Sequence, residues 1–347
     1  MILEKNTLKS YTDDRILDGQ EDNMIRFATI GTNFVVEWFL EGAAQCGDLV
    51  YTGTYSRDIN NAERFGKKYG SRLFFDDLNH LAQSDEIDAV YIASPNSEHF
   101  AQAMLMMKHG KHVMVEKTIA SNEREVSKLI ETARVNKVVL MEAMRPVHDP
   151  GFRAIEEAIK EIGPIRRVSF QYCQYSSRYD KFKNGIVENA FKPQFSNGAL
   201  MDIGVYCIHP LVKLFGMPNE ILSQAMVLPD SIDGEGTIIA KYDEMLAEII
   251  YSKISDSKIP SQIQGEKGAI VIKEISNPRE VITYFRDGSV KKADIPQHDR
   301  NLQFEAAEWA RLINIGDYSD IHSKYSLMSL QVMDEARRQQ GIVFPAD

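Results

Sequence analysis

Residues 25–44 read IRFATIGTNFVVEWFLEGAA. Ile25–Gly31 is a short apolar run that ends in glycine, and after it Val35, Phe39 and Ala43 recur at helical spacing. A strand that passes through a glycine turn straight into a helix presents backbone N–H groups and the positive end of a helix dipole at the turn. That is the local chemistry of a dinucleotide site, and the rest of the chain can be read outward from it.

The same rhythm continues. Leu49–Ser56, Ala89–Ala93, His112–Val115 and Val138–Met141 are rich in strand formers, and helical patterns over 62–69, 101–107 and 123–135 alternate with them. Strand alternating with helix over short connections predicts a doubly wound parallel sheet, an α/β Rossmann domain over residues 24–146. Beyond Pro146 the pattern changes. Arg167–Tyr175 alternates as a strand and Ala199–Phe215 reads as one helix; then come Ile221–Leu228, Gly236–Tyr242, Met245–Tyr251, Ala269–Lys273 and Val281–Phe285. Strands in succession, parted by turn signals such as Asp233-Gly234 and Asp287-Gly288, predict an α+β domain over 147–347 with a large, mostly antiparallel open sheet. Two last helices, Leu302–Ile315 and Lys324–Gln339, are expected to pack back toward the first domain. Residues 1–23 are charged, lack apolar periodicity and precede Met24; they read as a leader or tag without chemistry.

Composition narrows the function. A net charge of −10 spread over 347 residues speaks against a nucleic-acid or anionic-membrane surface. No apolar run is expected to approach the roughly 18 residues of a membrane span. Cys46, Cys173 and Cys207 have no metal-like spacing, and a reduced, cytoplasmic compartment is expected, with no metal site.

The cofactor expectation rests on two turns. In the first, Gly31-Thr32-Asn33-Phe34 keeps only the first glycine of G-x-G-x-x-G, and Asn33 is expected to hold the turn because asparagine tolerates positive φ. In the second, Tyr55-Ser56-Arg57 stands where NAD enzymes carry an acidic residue for the ribose hydroxyls. A carboxylate would repel a 2′-phosphate, whereas Ser56 can donate to it and Arg57 can pair with it. NADP is therefore expected, with NAD as the alternative.

Three further stretches carry a resemblance. Ser94-Pro95-Asn96-Ser97-Glu98-His99, Gly110-Lys111-His112-Val113-Met114-Val115-Glu116-Lys117-Thr118 and Ser196–Tyr206, in this order and strand context, resemble the glucose–fructose oxidoreductase / inositol dehydrogenase family. The likeness runs from Met24 to the end, and the Asp-x-Gly-x-Tyr form of residues 202–206 is most similar to the dihydrodiol and xylose dehydrogenase branch. It implies a dehydrogenase acting on a secondary alcohol or carbonyl of a sugar, polyol or related cyclic substrate, with homodimers or higher homo-oligomers common. It also implies cofactor contacts at Ser94, Pro95, Asn96, His99, Glu116 and Lys117, and a catalytic set of Lys117, Asp202 and Tyr206.

The chemistry supports that set. Oxidation of an alcohol sends a hydride to a nicotinamide and needs a base for the proton. Tyrosine serves when a cation stands beside it, and Lys117 can supply one. Asp202 and Tyr206, four residues apart, are expected on one helix face, and Gly204 between them suggests close packing against a ligand. The family usually has proline where Thr118 stands, so the aim of Lys117 is left open. His148 and His209 read as structural, while Arg145 could face substrate or an ion pair. Two other functions fit the scaffold: a dinucleotide-sensing regulator without turnover, which would not need the proton-transfer set, and a glycosidase with tightly held NAD, which the Ser56-Arg57 turn disfavours.

Overall fold

The structure is a computed structural model that describes residues 24–298, 300–319 and 321–347; the expectation for residues 1–23 lies outside these. Six strands form the first sheet: β1 (Ile25–Ile30), β2 (Leu49–Tyr55), β3 (Leu73–Phe75), β4 (Ala89–Ile92), β5 (His112–Glu116) and β6 (Leu140–Ala143). Their order is β3-β2-β1-β4-β5-β6, every pair parallel. Helices α1 (Phe34–Ala43), α2 (Ile59–Lys68), α3 (Leu78–Gln83), α4 (Asn96–Lys108) and α5 (Glu123–Asn136) connect them. All four residues of β4 are buried, as a central strand covered on both faces requires. The order reverses beside β1, so the first strand-to-helix turn opens at the switch point where such sheets bind ligands.

The second layer begins with α6 (Pro150–Ile159), β7 (Ile165–Cys173), α7 (Tyr179–Lys183) and α8 (Val205–Phe215). It continues through β8 (Glu220–Leu228), β9 (Ile232–Lys241), β10 (Leu246–Ser252), β11 (Ser261–Gly265), β12 (Gly268–Ile272), β13 (Val281–Phe285) and β14 (Val290–Lys292). These eight strands lie in the order β14-β13-β12-β11-β7-β10-β9-β8, antiparallel except for the β7–β10 pair. Helix α8 and the last helix, α10 (Ser323–Gln340), pack on this sheet. The opposite face leaves Leu222, Met226, Ile239 and Leu246 about half exposed.

The remaining helix, α9 (Leu302–Ile315), lies against α1. A Cβ on Gly42 would sit 2.8 Å from the Gln303 nitrogen, so the glycine permits this close approach. Trp309 of α9 is fully buried and shares a core with Phe27, Phe39 and Tyr91, the last two stacked at 3.8 Å.

Several expectations need correction. Strands β3, β11 and β14 and helices α3 and α6 were not expected; β3 and β14 have three residues each, and β11 reads Ser-Gln-Ile-Gln-Gly, with too few apolar side chains to announce itself. Asp233-Gly234 is not a turn but lies inside β9; the chain reverses at Pro229–Ser231, where Asp230 and Ser231 hold φ of 65° and 57°. The expected single helix over 199–215 opens with a π-helical turn, Leu200–Gly204. Within Pro193–Phe215 one 18-residue window reaches a mean hydropathy of 1.3, long and apolar enough by composition alone to cross a membrane. Of that window 78 % is buried inside the protein, as in a core helix.

Candidate active site

The first turn is tight because Gly31 has φ +115°, and a Cβ there would lie 2.8 Å from the Ala93 carbonyl oxygen. Asn33 does not supply a positive φ, as expected of it; its backbone is extended (φ −87°) and it caps α1. Its Oδ1 accepts from the Val35 and Val36 amides at 2.9 and 3.2 Å, and its Nδ2 donates to Ala93 O at 2.9 Å. The first intrahelical bond runs from Glu37 to Asn33, so the Phe34 amide precedes the helical ladder as one of its orphan donors. The Phe34 side chain itself is turned away, edge-on to Trp38 at 4.8 Å.

A cleft of about 1080 Å³ opens at this turn. Gly31, Thr32, Asn33, Ser56, Arg57, Ser94, Pro95 and Asn96 line it, and Arg178, Asn189, Lys192 and Asp202 contribute from the second layer. Gly31 forms a cradle that a larger residue would fill, and hydroxyls and a guanidinium stand at the end of β2; these suit a phosphorylated dinucleotide. Ser94 donates to Gln102 Oε1 at 2.8 Å, Pro95 precedes the first turn of α4, and Asn96 Nδ2 donates to Ser196 O at 3.0 Å. His99 does not reach the cleft. It is fully buried, with Nδ1 and Nε2 each 2.9 Å from the carbonyls of Thr118 and Ser94, and it ties the two loops together.

The expected catalytic set does converge. Lys117 Nζ lies 2.8 Å from both Oδ1 and the carbonyl oxygen of Asp202, and 5.0 Å from the centre of the Tyr206 ring. The Lys117–Thr118 peptide is cis, and Thr118 Oγ1 donates to Met201 O at 2.7 Å. The π turn carries Asp202 and joins directly to Tyr206 at the start of α8, so the two do not sit on one regular α-helical face. Gly204 packs on protein rather than on a ligand: a Cβ there would lie 3.1 Å from Leu200 and 3.2 Å from Tyr251. Arg145, expected to face substrate or an ion pair, meets Tyr206 and Asn301. Its guanidinium stands 5.6 Å over the Tyr206 ring, and Nη1 donates to Asn301 Oδ1 at 3.2 Å. Tyr172 meets the same ring edge-on at 5.7 Å.

Sequence reasoning missed Lys253. It is 3 % exposed, and its Nζ lies 2.5 Å from Asp202 Oδ2, so one carboxylate bridges two lysines. Burial acts to raise the Asp202 carboxyl, but the charges and hydrogen bonds of Lys117 and Lys253 outweigh it and hold the group well below the usual carboxylate range. Burial likewise acts to discharge Lys117, and Asp202 followed by Tyr206 and Glu116 overcomes it, keeping the ammonium firmly charged. Asp233, 1 % exposed, accepts from the Leu200 amide at 2.6 Å and so anchors the start of the π turn; burial pushes its carboxyl up to about 6.

Behind the lysine, Glu116 Oε1 accepts a hydrogen bond from the Tyr91 hydroxyl, and its Oε2 accepts from the Lys117 amide at 3.3 Å. Burial and then the neighbouring Glu116 push the carboxyl of Glu305, on α9, well up. Glu305 was also missed, because a buried acid on an amphipathic helix reads as a surface position. His209 is structural, its Nδ1 3.5 Å from buried Glu142, and the His148 ring packs on His322 at 4.9 Å.

Comparison with known proteins agrees with this geometry. Residues 25–144 match the model of an oxidoreductase family with an NAD-binding Rossmann fold, and residues 152–271 match the GFO/IDH/MocA C-terminal domain. The chain belongs to the GFO/IDH/MocA oxidoreductase family. Within this family it is similar to a scyllo-inositol 2-dehydrogenase (NADP(+)) of Bacillus subtilis, 47 % identical over 326 residues that cover 93 % of this chain and 99 % of the relative. A trans-1,2-dihydrobenzene-1,2-diol dehydrogenase of Xenopus tropicalis is 26 % identical, covering 84 % of this chain and 89 % of its own. Among solved structures, a 3-ketoreductase from Actinomadura kijaniata in complex with NADP and TDP-benzene superposes with a TM-score of 0.81 at 21 % identity, covering 93 % and 99 % of the two chains. The GFO/IDH/MocA fold, an oxidoreductase scaffold with an NAD(P)-binding Rossmann layer, is thus established for this chain.

Proposed function

We propose that this GFO/IDH/MocA oxidoreductase transfers a hydride between NADP(H) and a ring hydroxyl or ketone of a cyclic polyol. The observation that carries the reading is Lys117, held charged by Asp202 of the cleft wall and facing the ring of Tyr206. A sensor has no use for such a set. Bound NADP+ supplies the hydride acceptor at its nicotinamide. The chain's own residues do the rest. Lys117 donates to the reacting oxygen and Asp202 fixes Lys117; in reduction Tyr206 gives its hydroxyl proton to the carbonyl oxygen as hydride reaches the carbonyl carbon, and oxidation is the same step reversed. Arg145 also stands over the Tyr206 ring, 5.6 Å from its centre. Burial acts to lower its basicity, and the Tyr206 hydroxyl more than restores it. The substrate class rests on the inositol dehydrogenase relative and on the polar cleft wall formed by Arg178, Asn189 and Lys192. Stoichiometric NADPH formation with scyllo-inositol and a panel of inositols and sugars tests it. Substrate hydrolysis without net NADPH would favour the glycosidase chemistry instead.

Ser56 and Arg57 line the cleft and make NADP the preferred nucleotide in this reading. Arg57→Ala is expected to weaken NADPH by about 1–3 kcal/mol, the worth of a charge-assisted contact, and to spare NADH. Fluorescence titration with both nucleotides reads this, and equal losses for the two would count against it.

Three free thiols accord with a reduced cytoplasmic setting. The partner in this reading is a second copy on the open sheet face, where exposed Leu222 and Ile239 are cross-strand neighbours. Leu222→Lys with Ile239→Lys should convert a dimer to a monomer in light scattering; a wild-type monomer would remove the proposal.

A further inference from the structure

We infer that Asn61 is a positioning residue that turns two hydroxyls of the cofactor cleft into committed donors and thereby sets the preference for a 2′-phosphate. The inference rests on the reading of Ser56 and Arg57 given above.

Asn61 is the third residue of α2, half-buried at the cleft wall. Its Nδ2 lies 2.8 Å from Thr32 Oγ1 and 3.0 Å from Ser56 Oγ. Thr32 belongs to the first strand-to-helix turn and Ser56 to the second, so one amide spans both. The orientation of that amide is fixed from behind, because Arg64 Nη2 donates to Asn61 Oδ1 at 2.6 Å. The NH2 group must therefore face the hydroxyls.

A hydroxyl has two acceptor lone pairs and one proton. Ser56 Oγ accepts from Asn61, and also from the Asp58 amide at 3.4 Å. With both lone pairs engaged, its proton is the one group left to serve a ligand. Thr32 Oγ1 accepts from Asn61 in the same way, which biases its proton away from α2. An anion takes only donors. Without Asn61, either hydroxyl can spend its proton on a neighbouring carbonyl or water and present a lone pair to the phosphate. The Ser56 arm touches the group that distinguishes NADP from NAD; the Thr32 arm faces the turn used by both.

The test is fluorescence titration of NADPH and NADH with the full chain. Asn61→Leu is expected to lower NADPH affinity about tenfold, one lost hydrogen bond to a charged group, and NADH affinity less than about threefold. Asn61→Asp reverses the donor sense and adds a charge, so it should lower NADPH affinity further, while an acid in the first turn of α2 keeps the helix stable. Thermal melts of both variants check the fold. In a Ser56→Ala background, Asn61→Leu should no longer change the NADPH-to-NADH ratio, because the hydroxyl it sets is gone. A merely structural role would lower both affinities alike and survive the removal of Ser56. An unchanged ratio in Asn61→Leu, with a wild type that prefers NADPH, overturns the inference alone. A wild type that binds both nucleotides equally overturns the reading of Ser56 and Arg57, and this inference with it.

Discussion

Tyr206→Phe is expected to lower turnover by about 10²–10⁴-fold, the usual worth of a positioned acid or base, with NADPH affinity nearly unchanged. Phenylalanine keeps the ring, and with it the edge contact to Tyr172 at 5.7 Å and the faces offered to Lys117 and Arg145. Only the hydroxyl is lost, so a folding explanation would need a drop in melting temperature that the retained packing does not predict. Lys117→Met should cost at least as much, because it removes the cation over the Tyr206 ring and, in the proposed mechanism, the donor to the reacting oxygen. The double variant should be little worse than the worse single one, since groups that act on one proton transfer are not additive. A Tyr206→Phe enzyme with near-normal kcat on a substrate that the wild type turns over would return Tyr206 to the core.

The second large effect concerns stability. Asp202 is the counter-ion of two buried or half-buried ammonium groups, and Asp202→Leu leaves both unpaired. Breaking a buried pair in this way costs about 3–5 kcal/mol, and the 28 % exposure of the Asp202 side chain places the loss toward the lower end. Adding Lys253→Met should recover part of it, because one stranded charge is then gone. The pH dependence has a definite sign. The Asp202 carboxyl is held below its unfolded value, so its contribution is complete above about pH 4 and is lost as the pH falls from there through the folded value. Lys117 is shifted upward, so its share persists through neutral pH and fades only in strong alkali. The difference in melting temperature between wild type and Asp202→Asn should therefore be flat from about pH 5 to 9 and close below about pH 4. A difference that stays constant into strong acid would show that Asp202 is not the stabilising anion.

What could be read from the chain followed periodicity. The alternation of β1, α1, β2 and α2 was legible because each strand is a short run dominated by apolar and β-forming residues and each helix shows one buried stripe. Lys117, Asp202 and Tyr206 were legible as a resemblance in ordered motifs, and the geometry gives them a common meeting point. Lys253 and Glu305 were not, because a charge is assigned to solvent until its neighbours from distant segments are known; Asp202 lies 51 residues from Lys253, and Glu305 feels Glu116 and Arg145 from the first layer. Asn61 was hidden for the same reason, since only the fold sets it between Thr32 and Ser56. Asn33 was misread in mechanism: its value is as a helix cap and not as a carrier of positive φ.

The seat of α9 has a consequence for anyone who would build a chimera from this scaffold. Trp309 fills a pocket walled by Phe27, Phe39 and Tyr91, and Gly42 is shaped for the backbone of residues 302 and 303. A nucleotide-binding half cut out at the end of β6 would leave that pocket open and a tryptophan-sized void in its core. Grafts that exchange cofactor preference between relatives therefore need two inserts, the segment through β6 and the distant helix 302–315, transplanted as a matched pair.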